Sequence, residues 1–146
     1  MESCIVDILL IEDNKNDAEL AIRALSKVNL NHNLIHLKNG AEALEFLFGS
    51  GKFEDRDISN KPKLILLDLK MPKVDGFEVL AQVKAKESTR TIPIVILTSS
   101  DDQLDITRAY SLGANSYIVK PVDFEEFSKV VIAVSNYWLL KNQPPV

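Results

Sequence analysis

The chain has 146 residues, of which 46% are apolar and 26% charged, with a net charge of −4. That length supports one domain with a real core, and the acidic balance offers nothing to grip a phosphate backbone, so no nucleic-acid partner is expected. The single cysteine, Cys4, rules out an intramolecular disulfide and suits a reducing, cytoplasmic setting. No apolar run is long enough to span a bilayer, and MESCIVDILL lacks the basic region and cleavage site of a signal peptide, so no membrane association is expected.

In chain order, the first apolar run, 5–11, predicts a strand that ends in Glu12-Asp13. Asn14 then caps a helix, with Asp17 three residues on and an apolar stripe through Ala18, Ala21, Ile22, Leu25 and Val28. A second strand is expected at 33–38. Asn39 with Glu42 opens the next helix by the same cap-plus-acid spacing. The polar connection 49–62, GSGKFEDRDISNKP, reads as a surface loop. The third strand, 63–67, ends in Asp68. Asp75 with Glu78 opens a third helix. The fourth strand, 94–98, ends in Thr98; Ser99 or Ser100 is expected to cap the helix after it, which Gly113 stops. The fifth strand, 116–119, runs into Lys120-Pro121, and Asp123 with Glu126 opens the last helix.

The central runs are continuously apolar, as in parallel strands covered on both faces. Five β-α repeats with right-handed crossovers predict an α/β fold: a doubly wound five-stranded parallel sheet of order 2-1-3-4-5 with five helices. Such sheets form their sites beyond the carboxyl ends of the strands. Glu12, Asp13, Asp68, Thr98 and Lys120 then converge at one edge. Three carboxylates together repel unless a proton or cation joins them. Hard oxygen ligands of this kind suit Mg²⁺. One carboxylate remains to attack phosphorus, with Thr98 and Lys120 on the transferred oxygens. Taken singly, each residue has a plainer reading, as a helix cap, a strand threonine or a surface lysine. The specificity lies in the set, because four strands supply it.

The stretches LLIEDN (9–14), LILLDLKMPKVDGFEVL (64–80), IPIVILTSS (92–100) and GANSYIVKPVD (113–123) together resemble the receiver domain of two-component response regulators. The resemblance implies a CheY-like, flavodoxin-like fold with Asp68 as phosphoacceptor. It implies Asp13 as a direct Mg²⁺ ligand, Glu12 as an acid acting through water, and the backbone carbonyl of Lys70 completing the protein's share. It further implies Thr98 as switch hydroxyl, Lys120 as phosphoryl-binding lysine, Tyr117 as switch aromatic, and a cis bond before Pro121. A sensor histidine kinase or a phosphotransfer protein would be the donor. Ser99 departs from the pattern, which favours alanine or glycine there. Lys70 and Ser100 flank the path of the hydrolytic water in the family, so both are candidates for tuning autodephosphorylation.

A chain of this length leaves no room for a DNA-binding effector domain, so the expected organisation is a single receiver spanning 1–146. Its output would be protein contact, dimerisation or phosphate relay. On the last helix, Phe127, Val130, Val131, Val134, Tyr137 and Trp138 form one stripe, suited to packing on the sheet. A second stripe, with Phe124, Ile132 and Leu139, is expected to meet a partner or a second copy. The loop at 49–62 and the Tyr137-Trp138-Leu139 ending resemble the small regulators paired with bacterial phytochromes. His32 and His36, in a turn and a strand, are not expected to share a metal. A dehalogenase-type phosphatase needs an aspartate where Lys70 stands, so the chain is not expected to be an enzyme beyond its own phosphorylation and slow autodephosphorylation. The alternative is a phosphorylation-independent pseudo-receiver scaffold.

Overall fold

The computed structural model describes residues 5–145, which leaves Cys4 outside the described residues. The strands are β1 (Ile8–Ile11), β2 (Leu34–Leu37), β3 (Leu64–Leu67), β4 (Ile94–Thr98) and β5 (Ser116–Val119). The helices are α1 (Lys15–Lys27), α2 (Gly40–Phe48), α3 (Gly76–Ala85), α4 (Gln103–Ser111) and α5 (Phe124–Asn136). The strands form one sheet in the order β2-β1-β3-β4-β5, with every pairing parallel. This is the expected doubly wound fold.

Alternation along the central strands builds two cores. Leu9, Ile11, Ile65, Leu67, Ile94 and Ile96 face one way and meet Ala43, Phe46, Phe77, Leu80 and Val83 from α2 and α3. Ile8, Leu10, Leu64, Leu66, Val95 and Leu97 face the other way and meet Ala18, Ala21 and Leu25 of α1 and Phe127 and Val131 of α5. Each such aliphatic side chain contributes about 1.5–3 kcal/mol when fully buried. With both faces covered, the sheet reads as unbroken apolar runs.

Side-chain caps position the helices against the strand ends. Asn14, Asn39 and Asp75 accept the amides of Asp17, Glu42 and Glu78, three residues on in each case. Asp123 accepts from Glu125, one residue nearer than the expected Glu126. The cap of α4 is Asp102, which accepts from Leu104, and not Ser99 or Ser100. Ser100 instead donates its hydroxyl to Asp105 and accepts the Asp102 amide. A carboxylate beside the free N–H groups of a helix start is the stronger acceptor, so Asp102 takes the position.

Other expectations change in detail. The first strand is shorter than 5–11, and Ile5 is exposed. The loop at 49–62 is anchored: it holds a short 3₁₀ turn, Gly51–Phe53, and Phe53 meets Phe46 edge-on at 5.1 Å. The Arg56 guanidinium lies 3.9 Å from the centre of the same ring and donates to the Phe46 carbonyl. The Lys120–Pro121 bond is not cis, since no cis bond occurs among the described residues. Trans is the ordinary form before proline, favoured by about 0.5–1 kcal/mol.

The two stripes of α5 are also not separate. Phe127 and Val131 are buried as expected, but Tyr137 is half exposed. Of the second stripe, Phe124 is exposed, Ile132 is half-buried, and Leu139 packs against the core beneath α1. The chain leaves α5 through a π-helical turn, Tyr137–Lys141, whose wider winding shifts the phase of Leu139.

Ser135, near the end of α5, is fully buried, and its hydroxyl has no partner among the described residues. An unsatisfied buried hydroxyl costs roughly 1–3 kcal/mol. Ser135→Ala is therefore expected to raise the urea midpoint, with a gain of about 1 kcal/mol. An unchanged or lowered midpoint would show that the hydroxyl has a partner in solution.

Candidate acidic site at the carboxyl edge of the sheet

Strand register builds the site. Ile11 lies level with Leu67, so the next residues, Glu12 and Asp68, leave the sheet side by side. Thr98 lies level with Val119, so Lys120 emerges next to Thr98, and its amide donates to the Thr98 carbonyl at 2.7 Å. Oxygens of Glu12, Asp13 and Asp68 all lie within 4.8 Å of one another. Glu12 and Asp68 are 3% and 7% exposed, while Asp13 faces solvent.

Gly76 allows the loop after β3 to turn so tightly. A side-chain carbon there would sit 2.3 Å from the Asp68 carbonyl oxygen and 2.6 Å from the Leu69 Cα. The Gly76 amide donates to the Leu69 carbonyl, tying α3 to this loop.

Lys120 is the cation of the site. Its ammonium lies 2.7 Å from Glu12 Oε1, 2.8 Å from Asp17 Oδ2 and 3.4 Å from Asp68 Oδ2. Burial works against its charge, but the bonds to Asp17 and Glu12 and the charges of Asp68 and Glu12 outweigh that and hold its pKa above the usual lysine range. Burial, together with the neighbouring Asp68 charge, pushes the Glu12 carboxyl up to about 8 despite Lys120.

Both Asp68 oxygens have neighbours: the Lys70 amide donates to Oδ1 at 3.4 Å, and Lys120 approaches Oδ2. The side chain of Lys70 is exposed. Thr98 is fully buried, and its hydroxyl has no partner among the described residues. Tyr117 is half-buried against the α2–α3 core, and its hydroxyl donates to the Ser100 carbonyl at 2.9 Å. The aromatic ring is thus tethered to the loop after β4.

The structure brings together Glu12, Asp13, Asp68 and Lys120 at one edge, with Thr98 at the end of the adjoining strand. The Ser100 hydroxyl is engaged with Asp105. Sequence reasoning missed Asp17 as a partner of Lys120, having read it only as a helix-start acid. The available signal was its place in the first turn of α1, directly above the strand ends. It also missed His36, whose Nε2 is 2.8 Å from the Glu12 carbonyl and ties β2 to the acidic turn.

The donor set fits a divalent cation. Three carboxylates with hard oxygen atoms, one of them exposed, match the preference of Mg²⁺ or Mn²⁺ for a few carboxylates plus water. The buried, unpartnered hydroxyl of Thr98 suits an additional acceptor that arrives from outside the chain.

Residues 8–132 match the response regulator receiver domain family. The chain is 41% identical over 138 residues to the probable methanogenesis regulatory protein FilR2 of Methanothrix harundinacea, covering 94% of this chain and 86% of that one. It is 39% identical over 132 residues to the response regulator Rcp1 of Synechocystis sp., covering 90% and 88%. The Mn²⁺-bound crystal structure of Rcp1 superposes with a TM-score of 0.88 at 37% identity, over 97% of this chain and 99% of that one. The phosphorylated cyanobacterial phytochrome response regulator RcpA superposes with a TM-score of 0.89 at 34% identity, over the same shares. The acidic edge, the sheet order and the match along most of the sequence have one common explanation: the chain belongs to the response regulator receiver domain family, the CheY-like signalling modules of two-component systems that bind a divalent metal in an acidic pocket.

Proposed function

We propose that this chain accepts a phosphoryl group from a phosphohistidine onto Asp68, with Mg²⁺, and thereby switches a protein-interaction surface. The observation that carries this reading is the Asp68 carboxylate, level with Glu12 and within reach of Lys120, at a sheet edge where the Thr98 hydroxyl is buried without a partner. An Asp68 oxygen attacks phosphorus, the new O–P bond forms as the N–P bond breaks, and the donor imidazole leaves with the bonding electron pair. Asp13, Asp68 and the Lys70 carbonyl would hold the metal directly, with Glu12 acting through water. When bound, Mg²⁺ supplies charge neutralisation for the transferring group. Lys120 and Thr98 take the remaining phosphoryl oxygens.

Phosphorylation adds charge and acceptor oxygens. A bond from Thr98 to the phosphoryl group draws the end of β4 inward, and Tyr117, tethered to the Ser100 carbonyl, reports that shift to the surface of α4, β5 and α5. The donor is a sensor histidine kinase or a phosphotransfer protein, and the setting is cytoplasmic. Lys70, exposed beside Asp68, pairs with the phosphoryl group and, with Ser100, slows its hydrolysis. A phosphorylation-independent scaffold is the competing reading; the retention of every acid and of Lys120 argues against it.

Intact-mass spectrometry with acetyl phosphate tests this. One phosphoryl adduct is expected that requires both Mg²⁺ and Asp68; an adduct on folded Asp68→Asn, or none on the unchanged chain, would overturn it. The half-maximal Mg²⁺ concentration should fall as pH rises toward about 8, because Glu12 must lose its proton before its charge can serve the metal. In the same time course the Lys70→Ala adduct should decay faster; equal decay removes that role.

The output surface includes apolar side chains in solvent. Val122 is fully exposed, and Phe124 is 59% exposed, at the start of α5. Their exposure supports contact with a second copy through α5, with Ile132 at its margin. Ile132→Glu is expected to weaken self-association in sedimentation runs, and unchanged sedimentation would remove that contact.

A further inference from the structure

Asp17 stands apart from the other carboxylates around Lys120. An ammonium has three donors, and Lys120 directs its three toward Glu12, Asp17 and Asp68. Two of these partners, Glu12 and Asp68, belong to the carboxylate group suited to a metal, and Asp17 does not. A divalent cation on that group draws on two of the carboxylates that hold Lys120, and it places two positive charges beside a third. Without another anchor, Lys120 would compete with the metal for Glu12 and Asp68.

Asp17 is such an anchor. It comes from the first turn of α1, at 2.8 Å from the ammonium, closer than Asp68. Its carboxylate is not needed for the helix start, because the Asn14 cap uses the Asp17 backbone amide. Asp17 and Lys120 also line a common cavity of about 250 Å³ between α1 and the loop before α5. We infer that Asp17 is a positioning residue: its ion pair holds Lys120 aside when the metal takes the other acids, so that Lys120 stays in place for the phosphoryl group without displacing the metal. This rests on the metal-dependent reading above.

The test is Mn²⁺ titration of the full chain followed by electron paramagnetic resonance, with no phosphoryl donor present. Asp17→Ala should weaken Mn²⁺ binding by about fivefold or more, a usual size of coupling between two sites. In a Lys120→Met background the same change should have almost no effect, because no ammonium remains to be held. Asp17→Asn carries the same comparison should the alanine variant fold poorly. Equal losses in both backgrounds would mean that Asp17 acts only as a nearby negative charge, and no loss in either would mean that it does not act at all. Both results overturn the positioning role while leaving the metal site intact. Failure of the unchanged chain to bind Mn²⁺ would overturn the metal reading, and the role of Asp17 with it.

Discussion

The structure depends on one ammonium held among carboxylates. Lys120 faces Glu12, Asp17 and Asp68, drawn from the end of β1, the start of α1 and the end of β3. Removing any one charge leaves the others poorly balanced in a partly buried setting, where unpaired charge is costly. The set still holds more acids than its one lysine can neutralise. Burial and the neighbouring Asp68 charge favour a proton on Glu12, which relieves part of that excess. A divalent cation on the same carboxylates would offset it further.

The fold exists in large part to keep those charges in register. Parallel pairing sets Glu12 beside Asp68 and brings Lys120 out next to Thr98. The two cores hold the strands at that register from opposite faces, so a slip of one residue would turn buried isoleucines and leucines toward the wrong helices. Gly76 extends the constraint beyond the sheet, since no side chain fits between α3 and the turn after Asp68. The Tyr117 hydroxyl on the Ser100 carbonyl then links β5 to the loop before α4.

The strand-end residues were legible in the sequence because strand order and parallel direction leave them only one place to go. Glu12, Asp13, Asp68, Thr98 and Lys120 could be assigned without knowing any distance. Asp17 could not, because an acid in a first helical turn is ordinary and nothing local shows that a lysine 103 residues later reaches it. The cap of α4 was ambiguous because Ser99, Ser100, Asp101 and Asp102 can all accept an amide hydrogen bond. Leu139 was misplaced for a different reason: a 100° wheel assumes an α-helix, and the chain winds more widely after Asn136. The anchoring of the 49–62 loop was hidden because the edge-on contact between Phe53 and Phe46 has no periodicity to reveal it.

On the proposed function, the strand-end residues are arranged around a phosphoryl group on Asp68. A crystal structure of the full chain with Mg²⁺ and beryllofluoride, a phosphoryl mimic, tests it most directly. The mimic is expected on an Asp68 oxygen, within hydrogen-bond distance of the Thr98 hydroxyl and the Lys120 ammonium, with the metal on Asp13. A mimic bound elsewhere, or one on Asp68 that leaves the Thr98 hydroxyl still without a partner, would contradict it.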